Sequence, residues 1–331
     1  MYNDNSKNIM SQLFNDKNQN VQTIYVAGGC FWGVELYFQQ VLGILDTEVG
    51  YANGNTEITD YTALSVTDHA ETVKLIFDAN VVSLQEILFH FFKIIDPTSL
   101  NKQGGDMGRQ YRTGIYYLED NQEKIINSVI TVMQKKYTLP IQVEVMPLVH
   151  FIQAEEYHQD YLKKNPTGYC HLSPLLAATS LHDESLFSIP RTEELRASLT
   201  DLQYKVTQES GTEPPFSSEY HLQNKKGIYV DCVTKKPLFS SQDKFISSCG
   251  WPSFSKPITT DALEYKPDTS HCLERIEVVS KFGNTHLGHV FDDGVKELGG
   301  LRYCINGASL EFIPIEKMEE CGYGEYLPYL E

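Results

Sequence analysis

The sequence predicts two domains, an N-terminal α+β domain and a C-terminal mainly β domain. The chain has 331 residues, and a usual size of roughly 100–200 residues per domain makes two the expected number. Strand-like and helix-like runs alternate in the first half, whereas the second half is mostly short strand-like runs separated by Gly, Pro and Asp. We expect a polar tail at 1–20, a domain at 21–177, a linker at 178–194 and a second domain at 195–331.

The first half has a regular order of β and α periodicity. VQTIYVAGG begins at Val21 and ends in glycines, and CFWGVELYFQQV then has apolar residues at helical spacing. Ser83, with Glu86 three positions later, opens SLQEILFHFFKII as a helix with a capping box. TVKLIFD, YRTGIYYL and IQVEVMP are further predicted strands, and NQEKIINSVITVMQKKY is a further predicted helix. This order predicts an α/β sandwich with a mixed sheet, of the ferredoxin-like plait type.

The second half has the composition of an all-β fold after one helix. RTEELRASLTDLQYKVTQ has helical spacing throughout and is predicted to be a single helix. The strand-like runs that follow are GIYVDCV, RIEVVSKF, THLGHVF and RYCINGASLEFIPI. We expect antiparallel sheets in a β-tent-like arrangement.

Charge and hydropathy exclude several classes of function. The net charge of −17 is the opposite of the basic footprint that nucleic-acid binding requires. The sequence contains no run of about 18 apolar residues, so we expect no transmembrane helix. The first residues are polar and Asn-rich and lack the apolar stretch of a secretory signal. We therefore expect a cytoplasmic protein that binds neither nucleic acid nor a membrane.

The chain has seven cysteines, and none of them forms a CxxC pair. An odd number without such pairs argues against a disulfide framework, a zinc ribbon and a thioredoxin-type motif. Catalytic thiols are the remaining explanation for some of them. The seven are Cys30, Cys170, Cys232, Cys249, Cys272, Cys304 and Cys321.

The first candidate site is Gly-Cys-Phe-Trp-Gly at 29–33. Cys30 falls at a strand-to-helix turn, where unpaired N–H groups and the helix dipole stabilise a thiolate and are expected to lower the pKa. Phe31 and Trp32 can wall a small apolar pocket for a methyl group. The alternative is an inert cysteine buried in a core helix.

Three further segments accompany this pentapeptide. DHAETV places Glu71 just before a strand, GGDMGRQYRTG carries Asp106 and Tyr111, and AEEYHQDYLKKNPTGYCH ends with Cys170 on a Pro- and Gly-containing stretch. Together, GCFWG, the HAE triplet and NPTGYC resemble methionine sulfoxide reductase A over about residues 20–177.

This resemblance implies the chemistry of the first domain. Cys30 would attack the sulfoxide sulfur, and Glu71 would protonate the oxygen, for which burial must raise its pKa. The sulfenic acid formed on Cys30 would condense with Cys170, and an external dithiol would reduce the disulfide. The stretch from Tyr61 to Glu71 is slightly shorter than the usual family pattern. Hydrogen bonds to the oxygen would come from Tyr61 and Tyr111, ordering of the site from Asp106, and contact with the methyl group from Phe31 and Trp32.

The second candidate site combines SSCGWPSF, THLGHVFDDG and GLRYCINGASLEF. His286 and His289 form an HxxH pair, but positions i and i+3 of a strand face opposite sides, so they can share one metal ion only across a bend. Arg302, Cys304 and Asn306 share a strand face, and a nearby Arg or His favours a thiolate. The alternative is a buried strand cysteine with structurally satisfied histidines.

CGWPSF, HLGHVF and RYCIN in this order resemble methionine sulfoxide reductase B over about residues 195–320. The resemblance implies that Cys304 is the nucleophile and that Cys249 closes a disulfide with it. The remaining implied roles are binding or protonation of the oxygen by His286, His289 and Asn306, adjustment of the thiolate by Arg302, and a wall of the methyl pocket at Trp251.

Many members of that second family hold a structural zinc with two CxxC pairs. The corresponding places here are DCVTK and SKFG, in which only Cys232 remains. One thiol cannot make a tetrahedral site, so we expect no zinc and no cofactor. Cys232, Cys272 and Cys321 have no assigned role.

The two resemblances together imply a fused reductase of free or peptide-bound methionine sulfoxide. The first domain would take the S epimer at Cys30 and the second the R epimer at Cys304, because a pocket that fixes one epimer leaves donors unpaired with the other. Thioredoxin would be the reductant and oxidised proteins the substrates. The alternatives are a cysteine hydrolase, which would need a Cys–His pair and an oxyanion hole, and a redox sensor, which would need neither Glu71 nor an aromatic pocket.

Overall fold

The computed structural model of the chain contains two compact units, Asn20–Leu181 and His182–Leu330. Most of the predicted tail at 1–20, and also Cys272, lie outside the described residues. The residues that it describes are 13, 19–170, 172, 176, 179–270 and 273–331.

The first unit is built of strands and helices that alternate along the chain. Its strands are β1 (Val21–Gly28), β2 (Ile44–Ala52), β3 (Ala70–Asp78), β4 (Lys102–Gln103), β5 (Asp106–Met107), β6 (Thr113–Tyr117), β7 (Glu144–Pro147) and β8 (Phe151–Gln153). Its helices are α1 (Phe31–Phe38), α2 (Leu64–Thr67), α3 (Leu84–Ile94), α4 (Asp120–Gln134) and α5 (Tyr161–Lys164), with 3-10 turns at Tyr61–Ala63 and Arg109–Tyr111.

The main sheet of this unit has the strand order β7-β6-β1-β3-β2-β8. Its central part, β6-β1-β3-β2, is antiparallel throughout, which is the order of a ferredoxin-like plait. The pairing of β6 with β7 is parallel, so the predicted mixed sheet with helices is confirmed. β2 and β8 were not predicted, and β2 begins with a half-exposed run that lacks clear alternation.

Local signals in the sequence account for the start of α3. Its N-cap, Ser83, is extended, and its hydroxyl accepts a hydrogen bond from the backbone N–H of Glu86. This satisfies one of the free N–H groups in the first turn. The helix then buries almost all of its residues, as its dense apolar sequence predicts.

The second unit consists mainly of antiparallel strands, so that prediction is also confirmed. They form two sheets, of order β10-β9-β17 and β11-β12-β16-β15-β14-β13. The strands are β9 (Gly227–Asp231), β10 (Pro237–Ser240), β11 (Lys244–Phe245), β12 (Ser253–Phe254), β13 (Leu263–Asp268), β14 (Arg275–Ser280), β15 (His286–Phe291), β16 (Arg302–Ile305) and β17 (Leu310–Pro314). The helices are α6 (Thr192–Ser198) and α7 (Asp201–Glu209), with 3-10 turns at Glu184–Leu186, Ser241–Asp243, Lys296–Leu298, Gly307–Ser309, Ile315–Lys317 and Gly324–Leu330.

The single helix predicted before these strands was wrong, because the chain breaks it into α6 and α7. Leu199 is extended with ψ 145°. Thr200 then caps α7 by accepting a hydrogen bond from the N–H of Gln203, whose side chain bonds back to the N–H of Thr200. A capping box of this kind stabilises a new helix start, and it outweighs the continuous helical spacing.

Stacked aromatic rings form the core under β16. The rings of Phe239 and Phe254 are 4.3 Å apart, and Tyr229 meets Phe254 at 5.1 Å. Tyr303 is fully buried, and its hydroxyl lies 2.9 Å from that of Tyr265. Because side chains alternate along a strand, this packing turns the neighbours of Tyr303 on β16 toward the opposite face.

Part of the predicted linker at 178–194 packs on the second unit. The two ring nitrogens of His182 lie 3.1 Å from a carboxylate oxygen of Glu325 and 3.2 Å from the hydroxyl of Tyr329. The ring of Phe187 stacks on that of Tyr323. The domain boundaries themselves stay a prediction. None of the helices in the described part of the chain is both long and apolar enough to span a membrane.

Candidate active sites

Cys30 lies between the end of β1 and the start of α1, as the sequence predicts. Gly29 turns the chain with φ 85°, a conformation that glycine adopts without strain. Cys30 is then the N-cap of α1. Its sulfur faces the N–H groups of Trp32 and Gly33 in the first turn of the helix.

The expected lowering of the Cys30 pKa was wrong. Burial raises the pKa to about 12, the nearby charge of Glu71 adds to the effect, and the N–H groups of Trp32 and Gly33 only partly oppose it. The side chain is 6% exposed, so the loss of hydration outweighs the helix terminus. The resting group is therefore a thiol.

Glu71 lies on β3, next to β1 in the sheet, and is 1% exposed. Its Oε2 accepts a hydrogen bond of 3.2 Å from the backbone N–H of Phe31. Burial raises the pKa of Glu71 to about 8, with Asp106 adding to the rise and the Phe31 N–H opposing it. At neutral pH this carboxyl is largely protonated and can donate a proton beside Cys30.

The structure brings Tyr61 and Tyr111 together at this site. Asp60 caps the 3-10 turn that begins at Tyr61, and the backbone N–H of Tyr61 donates to Glu155 at 3.1 Å. The hydroxyls of Tyr61 and Tyr111 are hydrogen-bonded to each other, and burial followed by the charge of Glu71 raises the pKa of both. The shorter stretch before Glu71 therefore still delivers Tyr61 to the site.

Trp32 is held by two residues that the sequence analysis did not single out. The ring of Tyr161 stacks on the indole at 3.7 Å with planes 14° apart. The indole N–H donates to His158 Nδ1 at 3.1 Å. Both residues lie in AEEYHQDYL, whose closely spaced aromatic and His side chains were the signal that could have identified them. Phe31 is buried and packs against His158 with ring centroids 5.2 Å apart.

Cys170 lies against the helix that follows Cys30. A Cβ atom at Gly33 would be 3.2 Å from the Cys170 sulfur, so the absence of a side chain at this position allows the approach. The thiol is half-buried and donates to the carbonyl of Leu172 at 3.3 Å. The preceding Tyr169 donates from its hydroxyl to Asp106 at 3.4 Å.

The second site is built on β16 and its two neighbours in the sheet. Cys304 is directly opposite Ser253 on β12 and His289 on β15. Directly opposite residues of an antiparallel pair share a face. The Cys249 sulfur, from the loop before β12, lies 3.6 Å from the Cys304 sulfur.

Of these two thiols, Cys249 is the more acidic, which differs from the expected thiolate at Cys304. Burial and the neighbouring Cys249 raise the pKa of Cys304 to about 12, although Arg302 opposes the rise. The pKa of Cys249 falls to about 7, because hydrogen bonds from the hydroxyls of Ser247 and Ser253 outweigh its burial. The Ser253 oxygen lies 3.4 Å from the Cys249 sulfur.

Arg302 shares the outer face of β16 with Cys304, as predicted. Its guanidinium makes two hydrogen bonds, of 2.8 and 2.9 Å, to the carboxylate of Asp293. It also lies over the ring of Phe291 at 4.5 Å. These contacts fix the cation beside the thiol pair.

His286 and His289 lie on the same side of β15, which corrects the expectation for regular strand alternation. The pairing with β14 shifts by one residue between Gly288 and His286, so Leu287 is the extra residue of a β-bulge. The two rings are therefore 5.8 Å apart.

Each of these histidines is bonded to a carboxylate. His286 Nδ1 lies 2.5 Å from Glu277 Oε1 and His289 Nε2 lies 2.7 Å from Asp268 Oδ2. His286 Nε2 is buried and has no hydrogen-bond partner among the described residues. It is thus free to meet the oxygen of a bound molecule.

The side-chain amide of Asn306 is hydrogen-bonded on both sides within the unit, and its contact with the sulfoxide oxygen stays a prediction. Its side chain is 3% exposed. Its Nδ2 donates to the carbonyl of Leu287 at 2.9 Å, and its Oδ1 accepts from the backbone N–H of Glu213 at 3.0 Å. The amide therefore holds the end of β16 in place. Trp251 is held similarly, since its indole N–H donates to the carbonyl of Glu213 at 3.1 Å.

The two turns considered for zinc are joined instead by a buried carboxylate. Asp231 is fully buried and accepts hydrogen bonds from the hydroxyls of Thr234 at 2.8 Å and Thr285 at 2.9 Å, and from the N–H of Val233 at 2.9 Å. We call these four residues the Asp231 cluster. It connects the turn after β9 with the start of β15, and so links the two sheets.

Cys232, beside this cluster, donates its S–H to the carbonyl of Ala308 at 3.4 Å and is buried. Over the described residues, no three His, Cys, Asp or Glu side chains are grouped so that they could hold a metal ion. The donors present at these turns do not fit a tetrahedral zinc site.

The first unit thus places the buried Cys30 near a carboxyl that can donate a proton, and the second places the sulfur of Cys304 3.6 Å from that of Cys249. These two arrangements define a thiol oxidoreductase with two separate sites. A family model described as "Peptide methionine sulfoxide reductase" matches residues 22–187, half of the chain, and one described as "SelR domain" matches residues 199–314. The chain belongs to the peptide methionine sulfoxide reductase family. It is a fusion of an A-type (MsrA) N-terminal region and a B-type (MsrB) C-terminal region, and it reduces methionine sulfoxide.

Solved structures similar to this chain cover just under half of it. Reduced Mxr1 from Saccharomyces cerevisiae is 36% identical, with 47% of this chain and 91% of that chain covered and a TM-score of 0.44. Methionine sulfoxide reductase A of Corynebacterium diphtheriae is 34% identical, with 46% and 78% covered and a TM-score of 0.42.

Proposed function

We propose that the first unit reduces the S epimer of methionine sulfoxide at Cys30 and that the second reduces the R epimer at Cys304. The substrates are free or peptide-bound methionine sulfoxide, and the domains correspond to residues 21–177 and 195–331. The observation that carries the proposal is the 3.6 Å separation of the Cys249 and Cys304 sulfur atoms. Two thiols at this distance can close a disulfide with only a small movement.

At the first site, the Cys30 sulfur attacks the sulfoxide sulfur. The substrate sulfur gains two electrons and loses its oxygen, while Cys30 loses two electrons and keeps the oxygen as a sulfenic acid. Glu71 protonates the oxygen as its bond to the substrate sulfur weakens, and it recovers a proton from the thiol. A carboxyl with a pKa near 8 and a buried thiol suit this exchange.

The surrounding side chains orient the substrate. The hydroxyls of Tyr61 and Tyr111 bond the sulfoxide oxygen, and Asp106 orders the site through Tyr169. Phe31 and Trp32 contact the methyl group. The rigid stacking of Tyr161 on Trp32 supports a pocket whose shape does not change on binding.

At the second site, Cys304 carries out the same exchange with His286 as the proton donor. The carboxylate of Glu277 is hydrogen-bonded to Nδ1 and anchors the ring, so that Nε2 is the nitrogen that exchanges the proton. His289, held by Asp268, lies opposite Cys304 and supplies a further hydrogen bond, and Arg302 stabilises the developing thiolate.

The sites return to the reduced state through two disulfide intermediates. Cys170 condenses with the sulfenic acid on Cys30, and Cys249 with that on Cys304, and each reaction releases water. The low pKa of Cys249 makes it the better attacking thiol of its pair. Thioredoxin, as an external dithiol, then reduces each disulfide by thiol–disulfide exchange and becomes oxidised itself. A role in repair of oxidised proteins in the cytoplasm completes the proposal.

Single epimers of a methionine sulfoxide peptide, with dithiothreitol as reductant, test the assignment of each thiol. Cys30→Ser is expected to lose reduction of the S epimer only, and Cys304→Ser that of the R epimer only, so each variant is the control for the other. Retention of both activities by either variant would refute the role of that cysteine.

The recycling thiols are tested by the number of turnovers. Cys170→Ser and Cys249→Ser are expected to keep one turnover of their epimer but to lose turnover driven by thioredoxin. Normal thioredoxin-driven rates in these variants would show that other thiols regenerate the sites.

A further inference from the structure

One buried carboxylate lies at the segments that follow the two cysteines of the second site. Glu213 follows α7 and is 3% exposed. Its Oε1 accepts a hydrogen bond of 2.6 Å from the N–H of Gly307, and its Oε2 one of 2.8 Å from the N–H of Ala308. These N–H groups open the 3-10 turn that follows β16. The carboxylate therefore caps the segment immediately after Cys304.

The backbone of Glu213 also bonds to a residue that follows each of the two cysteines. Its N–H donates to the side chain of Asn306, and its carbonyl accepts from the indole of Trp251. Asn306 is two positions after Cys304, and Trp251 is two positions after Cys249. One residue thus contacts the segments that follow both cysteines.

Further contacts of the same segment reinforce this junction. The N–H of Phe216 donates to the carbonyl of Gly250 at 2.7 Å. His221 Nδ1 lies 3.3 Å from the carbonyl of Trp251. Pro214 and Pro215 lie between these contacts and restrict the backbone. The segment is a stiff support for the loop of Cys249.

We propose that Glu213 is a positioning residue for reduction of the R epimer. It keeps Trp251 fixed as a wall of the pocket and holds Cys249 within reach of Cys304. The proposal rests on the roles proposed above for Cys249 and Cys304, and on the place in the methyl pocket that the resemblance implies for Trp251. Hydrogen bonds from N–H groups to a carboxylate are short and strong, and Glu213 accepts two of them with separate oxygen atoms. A glutamine would turn its NH₂ group toward one of the two backbone N–H groups. That N–H group and the NH₂ group facing it would then both lack an acceptor.

Glu213→Gln in the full-length chain tests this role. We expect kcat/KM for the R epimer to fall at least tenfold through a higher KM and slower closure of the Cys249–Cys304 disulfide in a single turnover. Reduction of the S epimer by the first unit is the internal control and stays unchanged. Glu219→Gln, an exposed carboxylate on the same segment, is the matched control and keeps both activities.

A spectroscopic measurement separates positioning from a general loss of structure. The chain has two tryptophans, so Trp32→Phe leaves Trp251 as the only indole. In this background, Glu213→Gln is expected to increase the quenching of Trp251 by acrylamide, with unchanged far-ultraviolet circular dichroism. If the Gln variant fails to fold, Glu213→Asp keeps the charge but shortens the reach, and it is expected to give a smaller change of the same kind.

The outcomes distinguish this proposal from the proposed function. Unchanged R-epimer kinetics and unchanged Trp251 quenching would overturn the role of Glu213 alone. Equal loss of both epimer activities would also overturn it, because a positioning residue of the second site does not affect the first. If Cys304→Ser retains R-epimer activity, the proposed function fails, whatever Glu213→Gln shows.

Discussion

The carboxyl of Glu71 and the backbone N–H of Phe31 are joined by a hydrogen bond of 3.2 Å. This contact fixes the acid on β3 relative to the turn that presents Cys30, across 40 positions of the chain. It also means that the first N–H groups of α1 serve both the carboxyl and the thiol. The protonation state of the site therefore depends on the Glu71 carboxyl and the Cys30 thiol together, and not on the cysteine alone.

Removal of this acid is expected to slow reduction of the S epimer. A positioned general acid contributes about 10²- to 10⁴-fold, so Glu71→Gln should lose a factor in this range while R-epimer activity stays unchanged. In the unaltered protein, S-epimer activity should fall as the pH rises through about 8, where Glu71 loses its proton. A pH profile of each epimer checks this, and an S-epimer rate that stays constant to pH 9.5 or so would contradict an acid role for Glu71.

The same group predicts a pH-dependent difference in stability. The pKa of Glu71 is raised in the folded state from 4.5 to about 8, with burial as the main cause. Proton binding therefore favours the folded state, and this stabilisation is lost as the pH rises through about 8. Between the unfolded pKa of 4.5 and the folded pKa of about 8, thermal unfolding of Glu71→Gln should therefore depend less on pH than that of the unaltered protein. Identical pH dependence in both proteins would contradict the burial of a titrating carboxyl.

Tyr161 is expected to affect binding of the S epimer through Trp32. Tyr161→Ala removes a stacked ring, and such contacts contribute about 0.5–1.5 kcal/mol. KM for the S epimer should therefore rise severalfold with little change in kcat. Tyr161→Phe keeps the stacked ring and serves as the matched control. Equal KM values for the alanine and phenylalanine variants would show that the stacking does not hold the pocket.

The Asp231 cluster is expected to stabilise the second unit without a metal ion. Asp231→Asn places an NH₂ donor where a carboxylate oxygen accepts from the hydroxyls of Thr234 and Thr285 in the unaltered protein. A buried polar group left without a partner costs about 1–3 kcal/mol of stability. Denaturant unfolding should show this loss, whereas the exposed Asp292→Asn should not. A chelator such as EDTA should leave the unfolding midpoint of the unaltered protein unchanged. A midpoint that falls with EDTA would indicate a structural metal.

Gly288 is expected to be irreplaceable beside the bulge of β15. Its φ is +155°, and an added Cβ would lie 2.1 Å from the carbonyl oxygen of Cys304. Gly288→Ala should therefore push β15 away from β16 and abolish R-epimer reduction while S-epimer reduction continues. Gly324→Ala, where the nearest atom would be 3.6 Å away, is the control. Full R-epimer activity in Gly288→Ala would contradict the close pairing of these strands.

Much of the architecture could be predicted from the sequence, because it depends on local signals. The alternation of strands and helices, the cap at Ser83 and the place of Cys30 at a strand-to-helix turn all follow from neighbouring residues. The match of short segments to two reductase families depends likewise on the linear order of residues. β2 was missed because its first half is exposed and has no clear period.

Only the tertiary structure decided the state of the groups within the sites. Cys30 is a thiol because burial and Glu71, from a distant strand, outweigh the helix terminus. His286 and His289 share one side because a bulge adds Leu287 to β15. Asn306 is hydrogen-bonded to the backbone of Glu213, which is 93 positions away in the chain. Local periodicity determines which elements form, but solvation and hydrogen-bond partners depend on which distant residues meet, and these set the chemistry.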